Sequence, residues 1–133
     1  MKLQKRKIND KKILLSLMLC TSFVLAEVKN IDINADILEN YQVIDIRKPS
    51  EWAQTGTIKN AIKISFYNED GSINKNFVEE IKKISSNKPI AIVCRSGARS
   101  AKASALLDQN GIEVANLKGG MNALLSQGYE TSK

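Results

Sequence analysis

Short apolar runs rich in β-branched residues alternate with amphipathic helical stretches along most of the chain. Four of these runs predict strands, at residues 42–46, 61–64, 89–93 and 114–117, and residues 28–31 are a candidate for a short first strand. Residues 99–109 predict a helix with Ala101, Ala105 and Leu106 on one apolar face. Alternation of this kind builds βαβ units, so we expect an α/β fold with a mainly parallel sheet of about five strands and helices on both faces.

The run at residues 89–93 leads into Cys94, and a short loop with two arginines and a glycine precedes the next helix. This order directs backbone N–H groups and a helix N-terminus at one sulfur, and their field favours the thiolate over the thiol. Since the thiolate is the reactive form, we interpret Cys94 as a nucleophile for an anionic substrate. The alternative is a buried core thiol, because free cysteine is among the most buried residue types.

The chain contains no histidine. Cys-His proteases, Ser-His-Asp hydrolases and most zinc sites are therefore excluded, because each of them needs an imidazole. Activation of Cys94 must come from backbone dipoles and arginine side chains. We expect neither a cofactor nor a metal ion.

Residues 1–26 have the pattern of a cleavable signal peptide, with a basic start, an apolar run at residues 13–25 and a small residue at the end. We expect cleavage after Ala26, a mature domain over residues 27–133, and export to the periplasm without stable membrane association. An uncleaved anchor facing the periplasm is the alternative, although a membrane span needs about 20 apolar residues. Cys20 would leave with the signal, so Cys94 would have no disulfide partner within the mature chain.

The formal charge of +6 is concentrated in the same N-terminal segment. Six of the 20 basic residues and one of the 14 acidic residues lie within residues 1–26, so the remainder is nearly balanced. No basic stripe interleaved with aromatic residues remains there. We therefore expect no nucleic-acid partner.

Three blocks in order along the chain resemble the single-domain rhodanese family of sulfurtransferases. The first contains VIDIR (residues 43–47) followed by EW, GTI and NA; the second is IVCRSGARS (residues 92–100); the third ends in GG (residues 119–120). The resemblance extends from about residue 28 to residue 129. Two residues depart from the family pattern, since Thr57 and Leu124 stand where members often have histidine and tryptophan.

The resemblance implies that Cys94 takes sulfane sulfur from thiosulfate or a similar donor, holds it as a persulfide and passes it to a thiophilic acceptor, with cyanide as the assay acceptor. The acceptor could also be a protein. The loop that binds the anionic donor would consist of Arg95, Ser96, Gly97, Ala98, Arg99 and Ser100. The resemblance assigns a structural role near the site to Asp45, Arg47 and Glu51, with Arg47 paired with Glu51.

Two other functions stay open. Cysteine-dependent phosphatases and arsenate reductases also hold a thiolate in an anion-binding loop, but they place one more residue between cysteine and arginine than the four that separate Cys94 from Arg99. A shorter loop suits a single sulfur atom better than a tetrahedral phosphate. The domain could instead be a sulfur carrier that docks on a partner protein and does not turn over by itself.

Overall fold

A computed structural model describes residues 28–133, and the expected signal peptide and cleavage site lie outside this range. Within it, one sheet holds five strands in the order β1-β5-β4-β2-β3. The strands are β1 (Lys29–Asp32), β2 (Gln42–Asp45), β3 (Ile62–Lys63), β4 (Ile90–Val93) and β5 (Ala115–Lys118). Every pair of neighbouring strands is parallel, as predicted. None of the helices in residues 28–133 is long and apolar enough to cross a membrane.

The helices cover both faces of the sheet. They are α1 (Ala35–Leu38), α2 (Pro49–Thr55), α3 (Phe77–Lys82), α4 (Ala98–Gln109) and α5 (Gly120–Ser126). On one face, α1 and α5 contribute Leu38, Met121 and Leu124 to a buried apolar cluster. On the other face, α3 and α4 contribute Phe77, Ile81, Ala103 and Leu107 to a second cluster. The predicted α/β class and layer arrangement are confirmed.

The central strand β4 can be apolar throughout because it has a strand on each side and helices on each face. Its side chains alternate between the two clusters, so that Val93 packs on the α1–α5 face and Cys94 on the α3–α4 face. Asp45 of β2 lies in register with Val93. The ends of β2 and β4 therefore bring Asp45 and Cys94 to the same carboxyl edge, where ligands of parallel sheets bind.

The buried face of α4 differs from the predicted one. The buried side chains are Ser100, Ala103, Ser104 and Leu107. Ala101 and Ala105 are exposed, and Leu106 is only half-buried. The prediction was wrong because it ranked side chains by polarity alone. The buried residues follow the i, i+3, i+4, i+7 spacing of one helix face, which Ala101 and Ala105 do not share.

Candidate active site

Cys94 lies just beyond the end of β4, beneath the start of α4. Its Sγ accepts hydrogen bonds from the backbone N–H of Gly97 at 3.1 Å and of Ser100 at 3.4 Å. The thiol contacts Ser100 Oγ at 3.3 Å, and that hydroxyl donates to the Gly97 carbonyl at 3.1 Å. The loop therefore curves around one sulfur atom, and two N–H dipoles point at it. Such dipoles stabilise negative charge on the sulfur.

Gly97 allows this curvature. Its φ of +104° lies in the left-handed region, where residues with a Cβ are strained. A Cβ at this position would also lie 3.3 Å from the backbone nitrogen of Gly119. The backbone conformation and the close contact with Gly119 therefore both require glycine at position 97.

Further N–H groups of the loop are available to a ligand. The backbone amides of Arg95, Ser96, Ala98 and Arg99 have no hydrogen-bond acceptor among residues 28–133. The first amides of any helix lack an intrahelical partner, and α4 begins at Ala98. Loop amides and a helix start together form the type of donor set that binds anions.

Cys94 has no solvent-exposed surface, and its side chain belongs to the apolar cluster on the α3–α4 face. The thiol is buried and surrounded by loop donors at the same time, so the two interpretations drawn from the sequence do not exclude each other. The sulfur therefore has no direct contact with solvent in this conformation.

Arg99 is held by Glu51. Nη1 donates to Oε1 at 2.6 Å and Nη2 donates to Oε2 at 2.7 Å. The hydrogen bond from Arg99 holds the pKa of the Glu51 carboxyl below its ordinary value, and the hydrogen bond to Glu51 raises the pKa of Arg99. This fork joins the start of α4 to α2 and engages both terminal nitrogens of the guanidinium.

Arg47 pairs with Asp45, so the predicted pairing of Arg47 with Glu51 was wrong. Nε and Nη2 of Arg47 bind the two carboxylate oxygens of Asp45 at 3.0 and 2.8 Å. Residues two apart at the end of a strand project to the same side, which brings these two side chains together. The remaining donors of Arg47 bind Thr55 Oγ1 and the Gly56 carbonyl, both at 2.8 Å. Arg47 and Asp45 are both buried, and the pair has a structural role.

Both departures from the family pattern lie in the interior. Thr57 Oγ1 donates to Asp45 Oδ2 at 2.6 Å, so its hydroxyl completes the donor set of the buried carboxylate. Leu124 is fully buried and packs in the same apolar cluster as Met121. Neither side chain belongs to the loop around Cys94.

A cleft of about 550 Å³ opens beside the loop, with Arg95, Arg99 and Lys48 among its lining residues. Glu69 also lines this cleft, and its carboxylate accepts hydrogen bonds from the N–H and the hydroxyl of Ser50, both at 3.0 Å. Arg95 is exposed. No ion-pair partner of Arg95 lies in the part of the chain that the structure describes. Its guanidinium is therefore available to an anion in the cleft.

A larger cleft of about 910 Å³ lies at the opposite edge of the sheet, with Gln42, Lys59 and Lys88 in its lining. These residues stand at or before the amino-terminal ends of strands. Ligands of parallel sheets bind at the carboxyl ends, so the smaller cleft beside Cys94 is the candidate site.

Comparison with known proteins decides the family. A family model described as a rhodanese-like domain matches residues 28–127, nearly all of the part that the structure describes. The chain belongs to the rhodanese family. The resemblance noted from the three sequence blocks is thereby confirmed at the level of the family.

Relatives of this rhodanese domain carry different names. A sulfurtransferase of Allochromatium vinosum is 37% identical over 91 residues, which cover 68% of this chain and 77% of the relative. The tRNA uridine(34) hydroxylase of Pelagibacter ubique is 38% identical over 80 residues, or 59% of this chain, but the match spans only 25% of that protein. A rhodanese-like domain protein from Staphylococcus aureus, known as a crystal structure, is 30% identical with a TM-score of 0.59 and covers 80% of this chain and 100% of its own.

Of the predicted loop residues, Gly97 and Ser100 contact the Cys94 sulfur. Arg95 and Arg99 line the cleft beside it together with Glu51. Asp45 and Arg47 form a separate buried pair. The sequence analysis missed the pairing of Glu51 with Arg99, which are 48 positions apart. Both lie in blocks shared with the rhodanese family, but nothing local connects them. The contact of the Ser100 hydroxyl with the sulfur was also missed.

Proposed function

We propose that the protein is a sulfurtransferase that moves sulfane sulfur from thiosulfate or a similar anionic donor to a thiophilic acceptor through a persulfide on Cys94. The observation that carries this proposal is the convergence of the Gly97 and Ser100 amides on the Cys94 sulfur. Membership of the rhodanese family supports the same chemistry, as does the relative named as a sulfurtransferase.

The reaction has two displacements. The Cys94 thiolate attacks the outer sulfur of thiosulfate; a cysteine–sulfur bond forms, the sulfur–sulfur bond of thiosulfate breaks, and its electron pair leaves on sulfite. The acceptor, such as cyanide, then attacks the outer sulfur of the persulfide, and the cysteine–sulfur bond breaks to restore the thiolate. Each state carries negative charge on sulfur, and the loop amides of Arg95, Ser96, Ala98 and Arg99 can stabilise it.

The two loop arginines have separate roles in this proposal. Arg95 faces the cleft without an ion-pair partner in residues 28–133 and binds the oxyanion end of the donor. Arg99 is engaged by Glu51 through both terminal nitrogens and holds the start of α4. A phosphatase or arsenate reductase would need the loop arginine for its substrate, so the Glu51 contact argues against that chemistry.

Sulfur transfer from thiosulfate to cyanide by the purified protein tests the proposal, with Cys94→Ser as the matched variant. We expect thiocyanate from the wild type and none from the variant, and one added sulfur atom on the wild type alone in the intact mass after thiosulfate. Equal rates in the two proteins would exclude the mechanism. A persulfide that forms but is released only after a partner protein is added would identify a sulfur carrier instead.

We also propose that the protein is exported and acts in the periplasm. The support is the basic start and apolar run within residues 1–26. N-terminal sequencing of the protein from a periplasmic fraction should begin at Glu27. A sequence that begins at Met1 in the membrane fraction would instead show an uncleaved anchor.

A further inference from the structure

The first turn of α5 binds the backbone of the Cys94 loop from the other face of the sheet. The N–H of Met121 donates to the Cys94 carbonyl at 2.8 Å, and the N–H of Asn122 donates to the Arg95 carbonyl at 2.9 Å. These amides belong to the first turn of a helix, where no intrahelical acceptor is available to them. Two consecutive carbonyl groups at the start of the loop are thus fixed by α5.

Fixing these carbonyls also sets the direction of the N–H groups that follow them. The peptide unit is planar and trans, so each C=O points opposite to the N–H of the next residue. The N–H groups of Arg95 and Ser96 are therefore directed away from α5. Since α5 packs on one face of the sheet and the Cys94 side chain lies on the other, they point towards the face that holds the sulfur.

Gly120 makes this close approach possible. Its φ is +63°, and a Cβ there would lie 2.6 Å from the carbonyl oxygens of both Cys94 and Arg95. Both clashes are with backbone, which cannot swing aside as a flexible side chain does. Any larger residue would have to push the loop away from α5 and break the two hydrogen bonds.

We propose that Gly120 and the N–H groups of Met121 and Asn122 form a positioning element that aims the Arg95 and Ser96 amides at anionic sulfur on Cys94. Its effect on turnover rests on the proposed sulfurtransferase function. Its effect on the thiolate does not, because alkylation of Cys94 reports the stability of that anion without any sulfur donor.

Asn122→Pro tests the element directly, because the proline ring takes the place of the N–H and forces the Arg95 carbonyl away from α5. Asn122 is exposed and lies in the first turn of α5, where helices tolerate proline. Proline removes the N–H that binds Arg95, whereas the control Asn122→Ala removes the same side chain and keeps that N–H. The pH at which iodoacetamide alkylates Cys94 at half its maximal rate should rise by about 0.5–1 unit in the proline variant only, as expected for the loss of one hydrogen bond.

Gly120→Ala and Gly111→Ala form a second matched pair. Both glycines are left-handed, with φ of +63° and +75°, but a Cβ at Gly111 would meet nothing within 4 Å. Both variants carry the backbone strain, and only Gly120→Ala should also shift the alkylation profile upwards. If Gly120→Ala does not fold, the alkylation profile of Asn122→Pro tests the positioning role by itself.

The outcomes separate the two proposals. A wild-type alkylation profile in folded Asn122→Pro would overturn the positioning role. A shifted profile in that variant, with no thiosulfate turnover by the wild type, would support the positioning role and reject the proposed function. With both correct, kcat/KM for thiosulfate should fall about 5–10-fold in Asn122→Pro and stay near the wild-type value in Asn122→Ala.

Discussion

The guanidinium of Arg99 binds both carboxylate oxygens of Glu51, at 2.6 and 2.7 Å. Because Arg99 stands in the first turn of α4, this fork fixes the far end of the loop that begins at Cys94. The first turn of α5 fixes the near end through the carbonyls of Cys94 and Arg95. The loop amides are thus held from both sides, which is the preorganisation that stabilisation of an anion requires.

Glu51→Gln should lower the free energy of unfolding by about 1–3 kcal/mol, because Arg99 loses a charged partner at a site where both side chains are mostly buried. Urea unfolding of the two proteins measures this difference. Glu79→Gln is the matched control, since the Glu79–Lys82 pair is exposed and such pairs contribute at most about 1 kcal/mol. Equal losses in the two variants would contradict the assigned importance of the fork.

The same pair should make stability depend on acid pH. The hydrogen bond from Arg99 lowers the folded-state pKa of Glu51 below its unfolded value. Its contribution to stability is therefore present above the ordinary glutamate pKa of about 4.3 and is lost as the pH falls through the lower folded-state pKa. The stability difference between wild type and Glu51→Gln should be constant near neutral pH and shrink in that acid range. A stability difference that grows on acidification would contradict the lowered pKa of Glu51.

Thr57→Val should destabilise the fold by about 1–3 kcal/mol, because it removes the hydroxyl that donates to the buried Asp45 carboxylate at 2.6 Å and leaves a similar volume. Thr57→Ser keeps the hydroxyl and should lose less. Thermal or urea unfolding measures both. Sulfur transfer per folded molecule should stay near the wild-type value in each variant, since the side chain does not belong to the Cys94 loop. A selective loss of activity would assign Thr57 a role at the site.

Arg95→Gln should raise the KM for thiosulfate about tenfold with little loss of stability, because an exposed guanidinium beside the cleft binds the donor in this mechanism. Lys88→Gln removes the same charge at the opposite edge of the sheet and should leave KM unchanged. Added salt should raise the wild-type KM more than that of Arg95→Gln, because screening weakens the attraction. Identical KM values in wild type and Arg95→Gln would remove Arg95 from donor binding.

Much of the candidate site could be predicted because its residues are close together in the sequence. A buried parallel strand must be apolar on both faces, so the run at residues 89–93 marked the central strand and placed Cys94 at its carboxyl edge. The short loop with Gly97 and the helix after it followed from the same stretch of sequence. Each of these features depends on neighbours within a few residues.

The errors concern contacts that local pattern does not determine. The face of α4 was predicted from polarity, but its packing on the sheet buried Ser100 and Ser104 in place of Ala101 and Ala105. Arg47 was predicted to pair with Glu51, but it pairs with Asp45, which lies two residues before it at the end of β2. Glu51 binds Arg99 instead, which comes from a distant part of the chain.

The sequence by itself determined the α/β alternation, the family blocks and the position of Cys94 before a glycine-containing loop, because these follow from the order of residues along the chain. Only the tertiary structure decided which charges are paired and which backbone groups hold the loop. The strand order places β4 between β2 and β5, so α2 and α5 reach the loop from either side. Their contacts leave Arg95 available to an anion and bury the sulfur of Cys94 among N–H groups.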